Sequence, residues 1–194
     1  MHQFVKYCGI PVISLESATV HPLQSLTDLI TISEHLPINN KPKPKVVLTW
    51  APHVKPLPQC VANSFSEWMN AWGKADFVIA NPPGYDLDKK FTEGATIIHD
   101  QDYALNNADF VYVKNWSSFE HYGKIIPVEN DWLLSQKKLE VTNNAKIMHC
   151  LPVRRNVELS DEILDSKNSI VTEEAGNRVW AAQTVLSEIL NSIS

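Results

Sequence analysis

KVVLTWAPHVKPLPQCVANSFSEWMNAWGKADFVIA, residues 45–80, decides the fold. Residues 45–50 (KVVLTW) are β-branched and apolar, the pattern of a buried strand, and residues 75–80 (ADFVIA) repeat it. Between them Val61, Phe65, Trp68, Met69 and Trp72 recur at helical spacing. Gly73 follows where a helix takes its left-handed stop. Strand, helix and strand within about forty residues make a βαβ unit. The connection at residues 51–58 holds Pro52, Pro56 and Pro58 and is too long for a minimal strand-to-helix turn.

The alternation continues downstream. Residues 95–99 read as a strand, 101–108 as a short helix, 109–114 (DFVYVK) and 146–151 (KIMHCL) as strands, and 169–171 as a last short strand. A closing helix carries Val179, Ala182, Val185, Leu186, Ile189 and Leu190 on one side. Upstream, Leu23, Leu26, Leu29, Ile30 and Ile32 give residues 21–36 a broad apolar side and Pro22 suits a first turn, so a helix is expected there. Residues 37–45, with three prolines, read as a solvated linker. The expected fold is α/β: a doubly wound, mostly parallel sheet with helices on both faces. Ligands of such sheets sit beyond the carboxyl ends of strands, where the loops after Trp50, Lys114 and Leu151 fall.

Composition narrows the function. The 194 residues are 44% hydrophobic and 20% charged, which argues against disorder. The net charge of −5 gives no basic excess to advertise a nucleic-acid or anionic-membrane partner. Cys8, Cys60 and Cys150 are far apart, with no CxxC or zinc spacing, and fit a reducing compartment. The start MHQFVKYCGIPV lacks a basic segment followed by a long apolar run, so no membrane span is expected and the expected location is cytoplasmic. No GxGxxG, Walker A loop or GxSxG occurs, and six glycines leave little backbone to cradle a pyrophosphate.

Several stretches carry chemistry. In His149-Cys150-Leu151-Pro152-Val153-Arg154-Arg155-Asn156 a strand runs into a cysteine, a proline and two arginines; guanidinium groups there suit anionic ligands, and equally suit a solvated surface. His21 and Gln24 share a helix face, and a neutral histidine donates to a carbonyl oxygen that becomes an oxyanion; a capping histidine fits the same stretch. Prolines stiffen the loop holding His53 and Lys55. Lys114 ends a strand, where it suits a carboxylate or simply solvent.

Together these segments resemble the aspartate/ornithine carbamoyltransferases. HPLQ at residues 21–24 is similar to that family's HPxQ motif, HCLPVRRN at 149–156 to its HCLP loop, and EAGNR at 174–178 to the segment with its C-terminal arginine. Lys114-Asn115-Trp116-Ser117 stands where ornithine enzymes carry an SMG loop for a free α-amino group. That sequence, with WAPH and HCLPVRRN, resembles the N-acylornithine branch, and residues 50–70 resemble its succinylornithine members. The resemblance implies transfer of a carbamoyl group from carbamoyl phosphate to the δ-amine of N-succinyl- or N-acetyl-L-ornithine, in arginine biosynthesis, by a homotrimer without metal or organic cofactor. It assigns His21, Gln24, Cys150, the Leu151 carbonyl and Arg178 to the carbamoyl group. Glu16, His53, Lys114, Arg154 and Glu158 go to the acylornithine, Glu158 standing where some relatives have a modified lysine.

It also implies three segments. Residues 1–36 would be a remnant of the carbamoyl-phosphate domain with an interdomain helix, 37–171 the acceptor-binding domain, and 172–194 a second interdomain helix. No SxRTR-type phosphate loop occurs in these residues, so the chain alone is expected to be inactive; a non-catalytic module binding an acidic amino-acid derivative is the alternative. A backbone knot is implied too, with later chain threading the 51–58 loop.

Overall fold

The computed structural model describes residues 2–38, 40–41, 43–129 and 131–192. The chain forms α1 (His2–Tyr7), α2 (Pro22–Glu34), β1 (Lys45–Trp50), α3 (Cys60–Trp72), β2 (Asp76–Ala80), α4 (Lys89–Thr92) and β3 (Thr96–Ile98). It continues with α5 (Gln101–Leu105), β4 (Phe110–Lys114), α6 (Gln136–Leu139), β5 (Lys146–Met148), α7 (Asp161–Leu164) and α8 (Val171–Ser192).

The strands form one parallel sheet in the order β3-β2-β1-β4-β5. Central β1 pairs with β2 on one side and β4 on the other, and Val46, Val47 and Leu48 have no exposed surface. Strands covered on both faces read as unbroken apolar runs, which is why KVVLTW and FVYVK were legible. The chain winds outward from β1 to β3, then returns beside β1 as β4. Right-handed crossovers in that order place helices on both faces. Accordingly α3 and α4 pack together, α3 also meets α2, and α2 meets α8, while α5 and α6 form a separate pair. Gly73 ends α3 at φ +65°, its N–H donating to the Met69 carbonyl.

Several expectations need correction. Residues 169–171 form no strand: Ser169 makes one isolated bridge to Ile147, and Val171 already opens α8. The side of α8 that packs is not its most apolar one. Val171, Glu174, Asn177 and Ala181 are buried, whereas Val179, Leu186 and Leu190 are at least half exposed. The inversion is partial in α2, where Ile32 enters the core and Leu29 packs against it, but Gln24, Ser25, Thr27, Asp28 and Thr31 are buried too and Leu26, Leu29 and Ile30 line an open groove. The two helices meet through polar bonds: Asn177 Nδ2 donates to Thr31 Oγ1 at 3.0 Å and to Glu34 Oε2 at 2.7 Å. Segment 37–45, of which Asn39 and Pro42 lie outside the described residues, is not simply solvated. Lys41 Nζ bonds both carboxylate oxygens of Asp109 at 2.9 Å, and the Lys45 backbone N–H donates to the same carboxylate at 2.8 Å.

Candidate active site

At the carboxyl edge of the sheet, β1 and β4 lie side by side where the winding direction reverses, the place such folds leave open for ligands. Beyond β1 the proline-rich loop is fixed by the segment that follows β4. Trp50 Nε1 donates to the Trp116 carbonyl at 2.9 Å and Asn115 Nδ2 to the Ala51 carbonyl at 2.7 Å. At the far end of the loop, Ser117 N donates to the Leu57 carbonyl and Gln59 Nε2 to the Ser117 carbonyl, each at 2.9 Å. Segment 115–117 is thus bonded to both ends of the loop.

After β5 the chain turns sharply. His149 is wholly buried. Its Nδ1 accepts the Leu151 N–H at 2.9 Å, so Nε2 carries the proton and donates to Glu158 Oε1 at 3.3 Å. The other Glu158 oxygen accepts the Arg154 N–H at 2.8 Å. These bonds hold Leu151 at φ +55°, a left-handed conformation that costs a non-glycine residue about 1–2 kcal/mol. The cis Leu151–Pro152 bond follows.

From the opposite side, His21 precedes α2 with its backbone N–H on Ser64 Oγ at 2.7 Å. Gln24 lies one turn on, and α8 brings Arg178. The result is one cavity of about 660 Å³ whose wall contains Glu16, His21, Gln24, His53, Lys114, Cys150, Leu151, Arg154 and Arg178. Glu158, expected to meet ligand, is absent from that wall: it is 1% exposed and committed to His149 and Arg154 N. It shapes the loop rather than lining the cavity. Cys60, Leu57 and Val61 also line the cavity and were not anticipated. The legible signal was position, since Cys60 opens the helix immediately after the loop beyond β1.

The electrostatics are distinctive. Lys114, Arg154 and Arg178 all line the cavity, and among the described residues none lies within ion-pair distance of a carboxylate. Lys114 is nevertheless only 8% exposed. The neighbouring Arg155 is instead clamped to Asp161 at 2.8 Å and Asp165 at 2.6 Å. Arg154 Nε donates to His53 Nε2 at 3.2 Å, and His53 Nδ1 meets the Lys55 backbone, 3.0 Å from its N–H and 2.9 Å from its carbonyl oxygen. Burial lowers the His21 pKa, helped by Arg178 and Lys114 and opposed by Glu16, so the ring is neutral near pH 7. Burial pushes the Cys150 thiol up to about 11. Burial and Glu16, whose carboxylate accepts from Cys60 Sγ at 3.3 Å, push Cys60 up to about 12. Neither sulfur is a thiolate nucleophile at neutral pH. The site offers three cations for anionic groups and neutral donors and acceptors for a carbonyl group. Among the described residues no cluster of three or more His, Cys, Asp or Glu is arranged to hold a metal ion, and no helix is long and apolar enough to cross a membrane.

Comparison with known proteins gives the same direction. Residues 59–189 match the family described as aspartate/ornithine carbamoyltransferase, Asp/Orn binding domain. An N-succinylornithine carbamoyltransferase of Bacteroides fragilis (strain 638R) is 48% identical over the whole of this chain and 60% of its own length. An N-acetylornithine carbamoyltransferase of Xylella fastidiosa (strain Temecula1) is 32% identical over 97% of this chain and 61% of its own length. A crystal structure of an N-acetyl-L-ornithine transcarbamylase point mutant, complexed with carbamyl phosphate and N-succinyl-L-norvaline, superposes with a TM-score of 0.85 at 31% identity, covering 97% of this chain and 61% of that one. The chain therefore spans about 60% of the length of the relatives it matches. With two thirds of its residues inside the matched domain and the cavity at that domain's strand ends, this chain belongs to the aspartate/ornithine carbamoyltransferase family.

Proposed function

We propose that this chain is the acceptor-binding lobe of an N-acylornithine carbamoyltransferase in arginine biosynthesis, with N-succinyl-L-ornithine as its first candidate substrate and N-acetyl-L-ornithine as the second. The carrying observation is the cavity wall on which Lys114, Arg154 and Arg178, without carboxylate partners among the described residues, meet neutral His21 and Gln24. The greater identity to the succinylornithine enzyme supports the order of substrates.

In this reading the neutral δ-amine attacks the carbonyl carbon of carbamoyl phosphate. A C–N bond forms, the C–O bond to phosphate breaks, phosphate leaves with the electron pair, and the proton of the amine passes to the departing phosphate. His21 and Arg178 donate to the carbonyl oxygen as it becomes an oxyanion. Gln24 and the Leu151 carbonyl accept from the carbamoyl nitrogen, and the Cys150 thiol sits beside the reacting carbon as a positioning group. His53, Lys114 and Arg154 take the α-carboxylate and acyl group, and Glu16 closes that wall. Much of the rate then comes from orientation and oxyanion stabilisation.

The half-buried apolar groove of α2 and the exposed apolar side of α8 fit the role of hinge helices against a carbamoyl-phosphate lobe, and family membership supports homotrimeric assembly in the cytoplasm. The same reading includes a knotted backbone, supported by the bonds from segment 115–117 to both ends of the 51–58 loop. The test is calorimetric titration of this chain with N-succinyl-L-norvaline and N-acetyl-L-norvaline, which lack the reactive amine. Saturable binding of the succinyl compound is expected, and absence of binding by either compound rejects the reading. With no SxRTR-type loop among its residues, the purified chain is expected to bind acceptor without making a citrulline derivative. Ureido product well above blank would overturn that expectation.

A further inference from the structure

Beneath the Gln24 end of the cavity two carboxyl groups are sealed inside the protein. Asp28 on α2 and Glu174 on α8 have no exposed surface. Among the described residues neither has a lysine, arginine or histidine within ion-pair distance. Both accept from one nitrogen, Gln24 Nε2, at 2.8 Å for Asp28 Oδ1 and 3.3 Å for Glu174 Oε1. Glu174 Oε2 accepts the His149 N–H at 2.9 Å, tying the pair to the start of the Cys150 loop. Asp28 Oδ2 makes no hydrogen bond among the described residues, and its polar neighbours are the Glu174 carboxyl and the Tyr112 hydroxyl. Two adjacent buried carboxyls cannot both ionise without a cation. One proton between them removes the repulsion and satisfies the orphaned oxygen.

We propose that Asp28 and Glu174 are positioning residues that share one proton and hold the Gln24 amide with its nitrogen inward, so that Oε1 faces the cavity and selects a ligand presenting an –NH₂ group there. The selection rests on the reading that this cavity takes a carbamoyl group. Gln24 Oε1 has no hydrogen bond among the described residues, and Gln24 is part of the cavity wall. The flipped amide would set Oε1 against the carboxylate. The short contact to Asp28 and the long one to Glu174 place the negative charge on Asp28 and the proton on Glu174. Burial pushes Asp28 up to about 7, against hydrogen bonds from Gln24, Glu174 and Tyr112 and the charge of Arg178. Glu174 is pushed well above the ordinary range by burial and then by Asp28, against the His149 N–H and Lys114. The buried Tyr112 hydroxyl, without a hydrogen bond of its own among the described residues, acts on both Asp28 and Cys150.

Amide variants separate one shared proton from two charges. Glu174→Gln replaces the proton donor with an N–H and keeps the 2.8 Å Gln24–Asp28 bond, at the loss of one of the two N–H contacts that position 174 accepts, whereas Asp28→Ala and Glu174→Ala dismantle the network. The first readout is NMR of the 194-residue chain with ¹³C-labelled carboxyls and ¹⁵N-labelled glutamine. Near pH 8, above the value of about 7 for Asp28, one protonated carboxyl is expected in the pair, with Gln24 side-chain N–H protons protected in the wild type and in Glu174→Gln and unprotected in Asp28→Ala. The second is the affinity ratio between N-acetyl-L-citrulline and Nα,Nδ-diacetyl-L-ornithine, which differ only in –NH₂ against –CH₃. About tenfold preference for the citrulline is expected in the wild type and in Glu174→Gln, falling to near unity in Asp28→Ala; loss of stability alone would not move that ratio. Two ionised or two protonated carboxyls near pH 8, or equal Gln24 protection in wild type and Asp28→Ala, overturns the proposal. NMR decides the shared proton by itself, so failure of both probes to bind the wild type would count against the carbamoyl reading and the selection built on it, not against the pairing.

Discussion

Adjacent arginines at positions 154 and 155 do different work, and only their surroundings tell them apart. Arg155 is bound by Asp161 and Asp165, while Arg154 faces the cavity with a histidine as its polar partner. Arg154→Ala and Lys114→Ala are expected to weaken N-succinyl-L-norvaline binding roughly 10- to 100-fold, the worth of one charge-assisted hydrogen bond. Arg155→Ala should leave affinity within about twofold, because exposed pairs contribute little. Comparable losses in Arg154→Ala and Arg155→Ala titrations would reject the distinction. His149 gives a pH prediction. Burial holds its pKa below the ordinary 6.5 despite Glu158, so below that pH the unfolded chain binds more protons than the folded one. This contribution to stability is intact above about 6.5 and is lost as the pH falls toward the folded pKa. Urea unfolding at pH 7.5 and 5.5 should show a smaller acid-induced drop in His149→Gln than in the wild type; equal drops would exclude His149 as a source.

Between elements, Asp109 is the clearest joint. Its carboxylate, fully buried ahead of β4, receives Lys41 from the segment after α2, the Lys45 N–H at the start of β1, and Asn143 Nδ2 at 2.6 Å from the loop before β5. Burial works to raise its pKa, and these donors outweigh it and bring the pKa below the ordinary carboxylate value. The stabilisation is present at neutral pH and disappears as the pH falls through the depressed pKa. Asp109→Ala orphans the Lys45 and Asn143 donors and is expected to cost about 3 kcal/mol by urea unfolding. Lys41→Ala should cost less, because Lys41 is a third exposed and Asp109 keeps its two amide donors. A cost below 1 kcal/mol for Asp109→Ala would show that the segment is held by packing alone.

For the molecule as a whole, the distinctive expectation is topological. Unknotted chains are the rule, and the proposed threading of the 51–58 loop breaks it. Joining the chain ends covalently would trap a knot that survives denaturation. In denaturant the circle should then elute as a smaller particle than an equally long circle whose loop is shortened between Pro52 and Pro58. Identical elution would place the backbone with unknotted folds.

The sequence by itself determined the five strands and the helices α2, α3, α5 and α8, and it named most of the residues that line the cavity, but it gave no sign of the short helices α1, α4, α6 and α7. Continuous apolar strands, the 3.6-residue rhythm of α3 and the left-handed stop at Gly73 depend on neighbours along the chain. HPLQ, HCLPVRRN and EAGNR were readable as motifs because each is contiguous. What only the tertiary structure decided depends on groups far apart in the chain. The apolar residues of α2 and α8 read as packing faces, yet the helices meet through Thr31, Glu34 and Asn177. Residues 169–171 read as a strand until Val171 joined α8. Glu158 read as a ligand group, and only the position of the His149 ring shows that its carboxylate is spent inside the loop. Asp28 and Glu174 lie 146 residues apart, and nothing local marks either as buried. A carboxyl's role follows from which donors surround it and whether water reaches it, and both are set by long-range packing.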